Sequence, residues 1–140
     1  MHQTLKALAP LALTVIAAAA AAQPAPPSWN PAPSITASLD IGGSGGFTGV
    51  IENQRLCYMI NAAGIPNPTG AVIQSGRKSN NGAVVLTLKP PVGGASGDCV
   101  PISDDLARKL VKNADDYWFT IQSADYPQGA AGAWLMGMNG

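Results

Sequence analysis

The stretch ITASLDI at residues 35–41 carries the pattern that decides the fold. Apolar residues at positions 35, 37, 39 and 41 alternate with Thr36, Ser38 and Asp40, and a period of two residues is typical of a β-strand with one buried face. The glycine-rich run at residues 42–46 ends this strand. Residues 47–52 and 56–61 predict two more strands, joined by a tight turn at residues 53–54.

Shorter segments of the same kind continue along the chain. Strands are predicted at residues 71–75, 83–88, 117–123 and 132–136, and loops rich in glycine, proline or asparagine at 64–70, 76–82 and 90–97. One helix is predicted after Ser103, which is suited to cap its first turn, and Leu106 and Leu110 supply its apolar face. Many short strands and one short helix favour an all-β fold, either a sandwich or a barrel.

The chain begins with a segment typical of a secretory signal peptide. Lys6 precedes an uncharged run from Ala7 to Ala22, which ends in three alanines. We therefore predict a signal peptide at residues 1–22, a proline-rich linker at 23–34 and one domain at 35–140, in a secreted or periplasmic protein. The alternative, an uncleaved anchor, is disfavoured because a membrane span needs about 20 apolar residues. No membrane span is expected in the mature form.

Charge and histidine content limit the classes of function. Eight basic and eight acidic side chains balance, which gives no electrostatic case for binding nucleic acid. The one histidine, His2, lies in the predicted signal peptide. The mature protein then lacks the side chain that most often acts as a general base near neutral pH or as a metal ligand. We expect no catalytic residue, no metal site and no cofactor. We therefore expect that the protein is not an enzyme.

Two cysteines, Cys57 and Cys99, remain after removal of the predicted signal peptide. An even number of cysteines in an exported domain predicts a disulfide, and two residues allow only one pairing. The alternative is a free or metal-binding pair of thiols, which an oxidising compartment disfavours.

The order of several motifs resembles the CHRD domain, which was first recognised in chordin and is common in exported bacterial proteins. The motifs are Leu-Cys-Tyr at 56–58, Ala-Val-Ile-Gln at 71–74, Asn-Gly-Ala-Val-Val at 81–85, Asp-Cys-Val at 98–100, Tyr-Trp-Phe-Thr-Ile-Gln-Ser at 117–123 and Tyr-Pro-Gln-Gly at 126–129. The resemblance covers about residues 35–136. It implies an immunoglobulin-like or superoxide-dismutase-like β-sandwich or barrel, in a family whose biochemical role is poorly defined.

The sequence departs from the family pattern at polar positions. CHRD domains usually have histidine where this chain has Val72, Gln74 and Gln122, and Arg-Gly-Gln where it has residues 132–134. Glutamine amides are poor ligands for copper or zinc, which favour imidazole and thiolate. The resemblance therefore supports the fold and argues against a metal site at these positions.

Gln74 and Gln122 are the candidate ligand-binding residues. Period-two counting places Val72 and Gln74 on one strand face, and the family fold would bring Gln122 near them. Two amides there would bind each other or a polar ligand. The simpler interpretation, which we favour, is that both are structural or solvent-facing replacements. It predicts that alanine at both positions leaves folding intact.

Two other groups of side chains have both a functional and a structural interpretation. The first group is three methionines, Met59, Met136 and Met138. They would either bind Cu(I) or fill gaps in the core, and core packing is the commoner use of methionine. The second group is four aromatic residues, Tyr117, Trp118, Phe119 and Trp134. They would either stack on sugars or a partner protein or pack in the core, and we favour core packing.

The sequence leads to two hypotheses about function. The favoured one is an exported, non-catalytic binding or envelope-associated module, whose partner is a protein, a glycan or a second copy of the chain. The alternative is a metal-dependent redox enzyme of superoxide-dismutase-like fold, and its only support is analogy of fold.

Overall fold

A computed structural model describes residues 32–76 and 82–138. The predicted signal peptide, most of the predicted linker and the centre of the predicted turn at 76–82 lie outside the described residues. Within them the chain forms nine strands: β1 (Ser34–Leu39), β2 (Ser44–Glu52), β3 (Arg55–Ala63), β4 (Pro68–Ser75), β5 (Val84–Leu88), β6 (Ala95–Pro101), β7 (Tyr117–Ser123), β8 (Ala131–Trp134) and β9 (Met136–Met138). The described residues also form one α-helix, α1 (Asp104–Lys112), and two short 3₁₀ turns, Val92–Gly94 and Ala114–Asp116.

The strands form two antiparallel sheets that pack face to face. Sheet A has the order β6-β3-β2-β1-β9, and sheet B has the order β5-β4-β7-β8. The prediction of an all-β sandwich with one short helix is confirmed. We call the side of each sheet that is turned away from the core its outer face.

The alternating pattern that opened the domain behaves as predicted over most of its length. Ile35, Ala37 and Leu39 are buried in the core, between the half-buried Thr36 and the exposed Ser38. The strand ends at residue 39 rather than 41, because Gly42 takes a left-handed backbone conformation with φ of 80°. Ile41 is 67 % exposed and makes a single β-bridge to Gly132 of sheet B.

The core is built where the two sheets meet. Phe47 of sheet A and Phe119 of sheet B are both fully buried, and their ring centroids lie 5.1 Å apart. Tyr58 packs beside Phe47, and its hydroxyl oxygen accepts a hydrogen bond of 2.8 Å from the backbone N–H of Lys89. The tyrosine therefore fills the core while satisfying its polar end on the strand-to-loop junction.

The helix begins and docks as the sequence predicted. The Ser103 side chain accepts a hydrogen bond from the backbone N–H of Leu106 at 3.2 Å, which caps the first turn. On the exposed side Asp105 pairs with Lys109 at 2.9 Å. Leu110 is completely buried against the sandwich, so the apolar face of α1 joins the domain core.

Other predicted boundaries are also wrong. The loop predicted at 90–97 ends earlier, because Ala95 already pairs with Asn61 in β6. The last strand, predicted as 132–136, is divided between the two sheets. Leu135 is fully buried between them, so Trp134 ends in sheet B while Met136 begins β9 beside β1 in sheet A.

The predicted disulfide is confirmed. Cys57 and Cys99 lie directly opposite each other on β3 and β6, and a bond joins their sulfur atoms. The disulfide lies on the outer face of sheet A. It links a central strand of this sheet to the edge strand that precedes the helix.

Candidate functional site

The outer face of sheet B contains most of the positions at which the chain departs from the CHRD pattern. Val72 and Gln74 of β4 lie outside the core cluster, whereas Ala71 and Ile73 belong to it. On β7, Gln122 likewise alternates with buried core residues, and on β8 the outward positions are Gly132 and Trp134. Five departures therefore lie together on one surface.

Gln74 is held by hydrogen bonds within the protein. Only 7 % of the residue is exposed. The Thr120 hydroxyl donates to its Oε1 at 3.1 Å, and its Nε2 donates to the Gly82 carbonyl oxygen at 3.4 Å. Because Thr120 is itself 2 % exposed, this pair forms a buried polar link between β4 and β7. Of the two forms of the favoured interpretation, Gln74 therefore fits a structural replacement and not a solvent-facing one.

Gln122 lies on the same face but is not a neighbour of Gln74. Gln74 is opposite Trp118 in the register of β4 and β7, whereas Gln122 is opposite Gly70. The Gln122 amide reaches over Gly70, in space that a side chain at residue 70 would need. The two glutamines are separated by the Val72–Thr120 pair and do not form one amide site.

The aromatic residues divide between the core and the surface. Tyr117 and Phe119 point inward and are buried, as favoured from the sequence. Trp118 is half-buried and Trp134 is 39 % exposed, and both lie on the outer face of sheet B. Core packing was the wrong expectation for these two tryptophans. The alternation within residues 117–119 was a signal that Trp118 points away from its neighbours.

The two tryptophans contact each other across neighbouring strands. Trp118 and Trp134 are directly opposite in the register of β7 and β8, and their ring centroids lie 4.7 Å apart at an interplanar angle of 80°. This edge-to-face arrangement is a favourable geometry for aromatic pairs. A Cβ on Gly132 would lie 2.7 Å from Cε2 of the Trp118 indole. The glycine therefore provides the space into which the indole lies.

A cleft opens beside this pair, at the edge where β8 of sheet B meets the end of β1. Its volume is about 270 Å³, and we call it the tryptophan cleft; it is lined by Ser38, Asp40, Ile41, Trp118, Gly132, Ala133, Trp134 and Met136. A second hollow of about 170 Å³ adjoins it and shares Ile41, Trp118 and Gly132. Exposed apolar side chains border the cleft, since Ile41 is 67 % and Met136 is 56 % exposed.

Among the described residues that line the tryptophan cleft, Asp40 is the only ionisable one. Within residues 32–76 and 82–138 it has no basic partner, whereas Asp98 lies 3.4 Å from Lys89 and Asp105 lies 2.9 Å from Lys109. The backbone N–H of Cys99 and the nearby Lys89 lower the pKa of Asp98. Hydrogen bonding and charge from Lys109 lower the pKa of Asp105. Both groups lie outside the cleft lining.

A larger cleft lies elsewhere and has a simpler lining. It has a volume of about 460 Å³ and lies between the loop at 65–69 and the turn at 91–94. The described residues that form its walls include no aromatic and no charged side chain. It therefore offers fewer specific contacts than the tryptophan cleft, although it is larger.

The three candidate methionines do not form one site. Met136 is opposite Thr36, which is opposite Thr48, which in turn is opposite Met59. Met59 is therefore three strands away from Met136 across the outer face of sheet A. Among the residues that the structure describes, no three His, Cys, Asp or Glu side chains come together as metal ligands would.

Comparison with known proteins identifies the family. None of the helices within the described ranges has the length and apolar character needed to cross a membrane. No curated protein and no solved structure matches the chain. The family profile of the CHRD domain matches residues 26–131, well over half of the sequence. The motifs, their order and this match agree, and the chain belongs to the CHRD domain family.

Proposed function

We propose that this chain is an exported, non-catalytic binding module, and that the tryptophan cleft is its contact surface. The observation that carries the proposal is the pair of tryptophans on the outer face of sheet B. Trp134 is 39 % exposed beside a cleft of about 270 Å³. Partly exposed tryptophans in a recess are typical of residues that contribute most to binding energy at protein interfaces.

The surroundings of the tryptophan pair support this assignment. Ile41 and Met136 extend the apolar surface on two sides of the cleft, and Ser38 and Asp40 add polar atoms on one wall. An apolar centre with a polar border is the usual anatomy of a binding surface. The contact between the two indoles fixes their positions before a partner arrives, which lowers the entropy lost on binding.

Export is supported by two features of the chain. The first 22 residues have the pattern of a signal peptide. The Cys57–Cys99 disulfide is of a kind that persists in oxidising compartments. The proposal therefore locates the module in the periplasm or outside the cell, where its partner would be a protein, a glycan or a second copy of the chain.

The test compares partners of two variants on arrays of purified exported proteins and of glycans. Trp134→Ala removes the exposed indole of the cleft, and Met59→Ala removes an apolar side chain of sheet A that is more exposed. We expect at least one partner that binds the native protein and the Met59→Ala variant but not the Trp134→Ala variant. Sedimentation of the same three proteins detects self-association. Identical binding by both variants, or catalytic turnover of a bound partner, would contradict the proposal.

A further inference from the structure

We infer that the tryptophan cleft accepts the arginine side chain of a partner protein, an inference that rests on the function proposed above. The cleft combines two indole rings with one carboxylate, and these are the two kinds of group that bind a guanidinium. The aromatic surface, the charge of the lining and the shortage of other polar groups support this assignment.

The aromatic surface fits a planar cation. The electron-rich face of an indole attracts cations, and tryptophan is the strongest of the aromatic side chains in this respect. Trp118 and Trp134 stand at 80° to each other, so their rings present differently oriented surfaces to the same cleft. A guanidinium is flat, weakly hydrated and able to stack on an aromatic face, whereas an ammonium is compact and strongly hydrated.

The charge of the lining points the same way. Asp40 is exposed on the cleft wall and has no basic partner among the described residues. None of the described residues that line the cleft or the adjoining hollow is a lysine or an arginine. A cation that enters therefore meets an unpaired carboxylate and no like charge. A carboxylate can also accept two parallel hydrogen bonds from a guanidinium.

The same lining disfavours two other occupants. A sugar exposes many hydroxyl groups that need polar partners when they lose water. Apart from the indole N–H groups, the described part of the lining offers only the polar side chains of Ser38 and Asp40. A purely apolar side chain would bring an uncompensated hydrophobic surface against the Asp40 carboxylate, which costs free energy through desolvation. A cationic side chain with an apolar stem satisfies both parts of the cleft.

The experiment titrates peptides into the full-length processed protein carrying Trp29→Phe, with ¹⁵N labelling. In this background the two indole N–H signals both come from the tryptophan cleft. The probe is the blocked tripeptide Gly-Arg-Gly, and the controls replace arginine by citrulline, which is its uncharged counterpart, or by lysine. We expect saturable shifts of both indole signals with the arginine peptide and weaker binding of both controls.

Variants locate the contact. Trp134→Ala should lower the affinity for the arginine peptide by about fivefold or more, and Asp40→Asn should lower it by about threefold. Glu52→Gln removes a carboxylate from the far end of β2 and should leave the affinity unchanged. Thermal unfolding of each variant checks that the fold persists. Equal affinity for arginine and citrulline peptides, equal affinity for arginine and lysine peptides, or insensitivity to both cleft variants would overturn the inference.

The failure of this inference is distinguishable from failure of the proposed function. If the arrays reveal a partner that depends on Trp134 but arginine peptides do not shift the indole signals, the cleft binds a different chemistry and only the arginine assignment is wrong. If no partner depends on Trp134, the proposed function is wrong as well.

Discussion

The two outer faces of the sandwich use similar residue types in opposite ways. On sheet A, Thr48 and Met59 lie side by side and are exposed, and the disulfide lies one row further along. On sheet B, Thr120 is 2 % exposed and Gln74 is 7 % exposed, although both also point away from the core. An antiparallel sheet commonly buries one face and leaves the other in water. Sheet A follows this rule and sheet B does not.

The difference supports the outer face of sheet B as the proposed contact surface. A polar group that is buried on the outer side of a sheet needs partners, and Gln74, Thr120 and Gly82 supply them to one another. Next to this network the Trp118 indole lies over Gly132, and the surface becomes concave. The outer face of sheet B is thus a second packed layer that holds the tryptophan pair in place, whereas sheet A carries the covalent link.

The largest expected effect concerns the disulfide on sheet A. Replacing Cys57 and Cys99 by alanine removes a link between residues 42 positions apart, which should lower the free energy of unfolding by about 4 kcal/mol. Urea unfolding measures this loss. Under native conditions the indole signals of the tryptophan cleft should remain in place, because both tryptophans belong to sheet B. A variant as stable as the native protein would contradict this prediction, because it would show that the pairing of β3 with β6 holds these strands together without the disulfide.

The next largest effect compares one amide on each face. Gln74→Ala deprives the buried Thr120 hydroxyl of its acceptor and should cost about 2 kcal/mol of unfolding free energy. Asn61→Ala, at an exposed position of sheet A, should cost less than about 0.5 kcal/mol. Chemical denaturation of both variants measures the contrast. Equal costs would mean that the outer face of sheet B is not a packed layer.

A smaller effect tests the space beneath Trp118. Gly132→Ala inserts a methyl group against the indole and should cost about 1 to 2 kcal/mol through overpacking. Because the cost arises from one contact, Trp118→Leu should absorb part of it, and the two substitutions should not be additive. A double-mutant cycle measures the coupling. Additive costs would place the strain elsewhere in β8.

The smallest effect concerns pH. No histidine follows His2 in the sequence, so the stability of the processed protein should be constant between about pH 5.5 and 7.5. The pKa values of Asp98 and Asp105 are lowered from 3.8, so the stabilisation from both groups is present above that pH and is lost as the pH falls through the lowered pKa values. Unfolding curves measured from acid pH up to about pH 7.5 check the prediction. The double variant Asp98→Asn plus Asp105→Asn serves as the comparison at acid pH. A stability transition near pH 6.5 would contradict it.

The parts of the fold that were predicted from the sequence depend on local patterns. The alternation at 35–39 marks a strand because burial repeats every second residue, and Ser103 marks a helix start because its side chain caps a backbone N–H three residues later. The resemblance to the CHRD domain, based on the order of the motifs along the chain, further predicted the β-sandwich or barrel. Only one pairing was open to the two cysteines in an oxidising compartment.

The candidate site depends on contacts between distant segments, which local patterns do not contain. Gln74 is buried because β4 places it beside Thr120, 46 positions away along the chain. Trp118 and Trp134 meet because of the register of β7 and β8, and the cleft needs the end of β1 as its other wall. Asp40 and Ile41 showed no functional signal in the sequence, although Asp40 occupied an outward position of its strand pattern.

The most direct test of the difference between the two faces is the affinity of an identified partner for two matched variants. Trp134→Ala and Met59→Ala each remove an exposed apolar side chain, one from sheet B and one from sheet A. We predict that Trp134→Ala weakens binding by about tenfold or more, equivalent to about 1.4 kcal/mol, and that Met59→Ala changes it by less than about twofold. A loss of affinity in Met59→Ala with unchanged binding in Trp134→Ala would place the contact surface on sheet A and contradict the account.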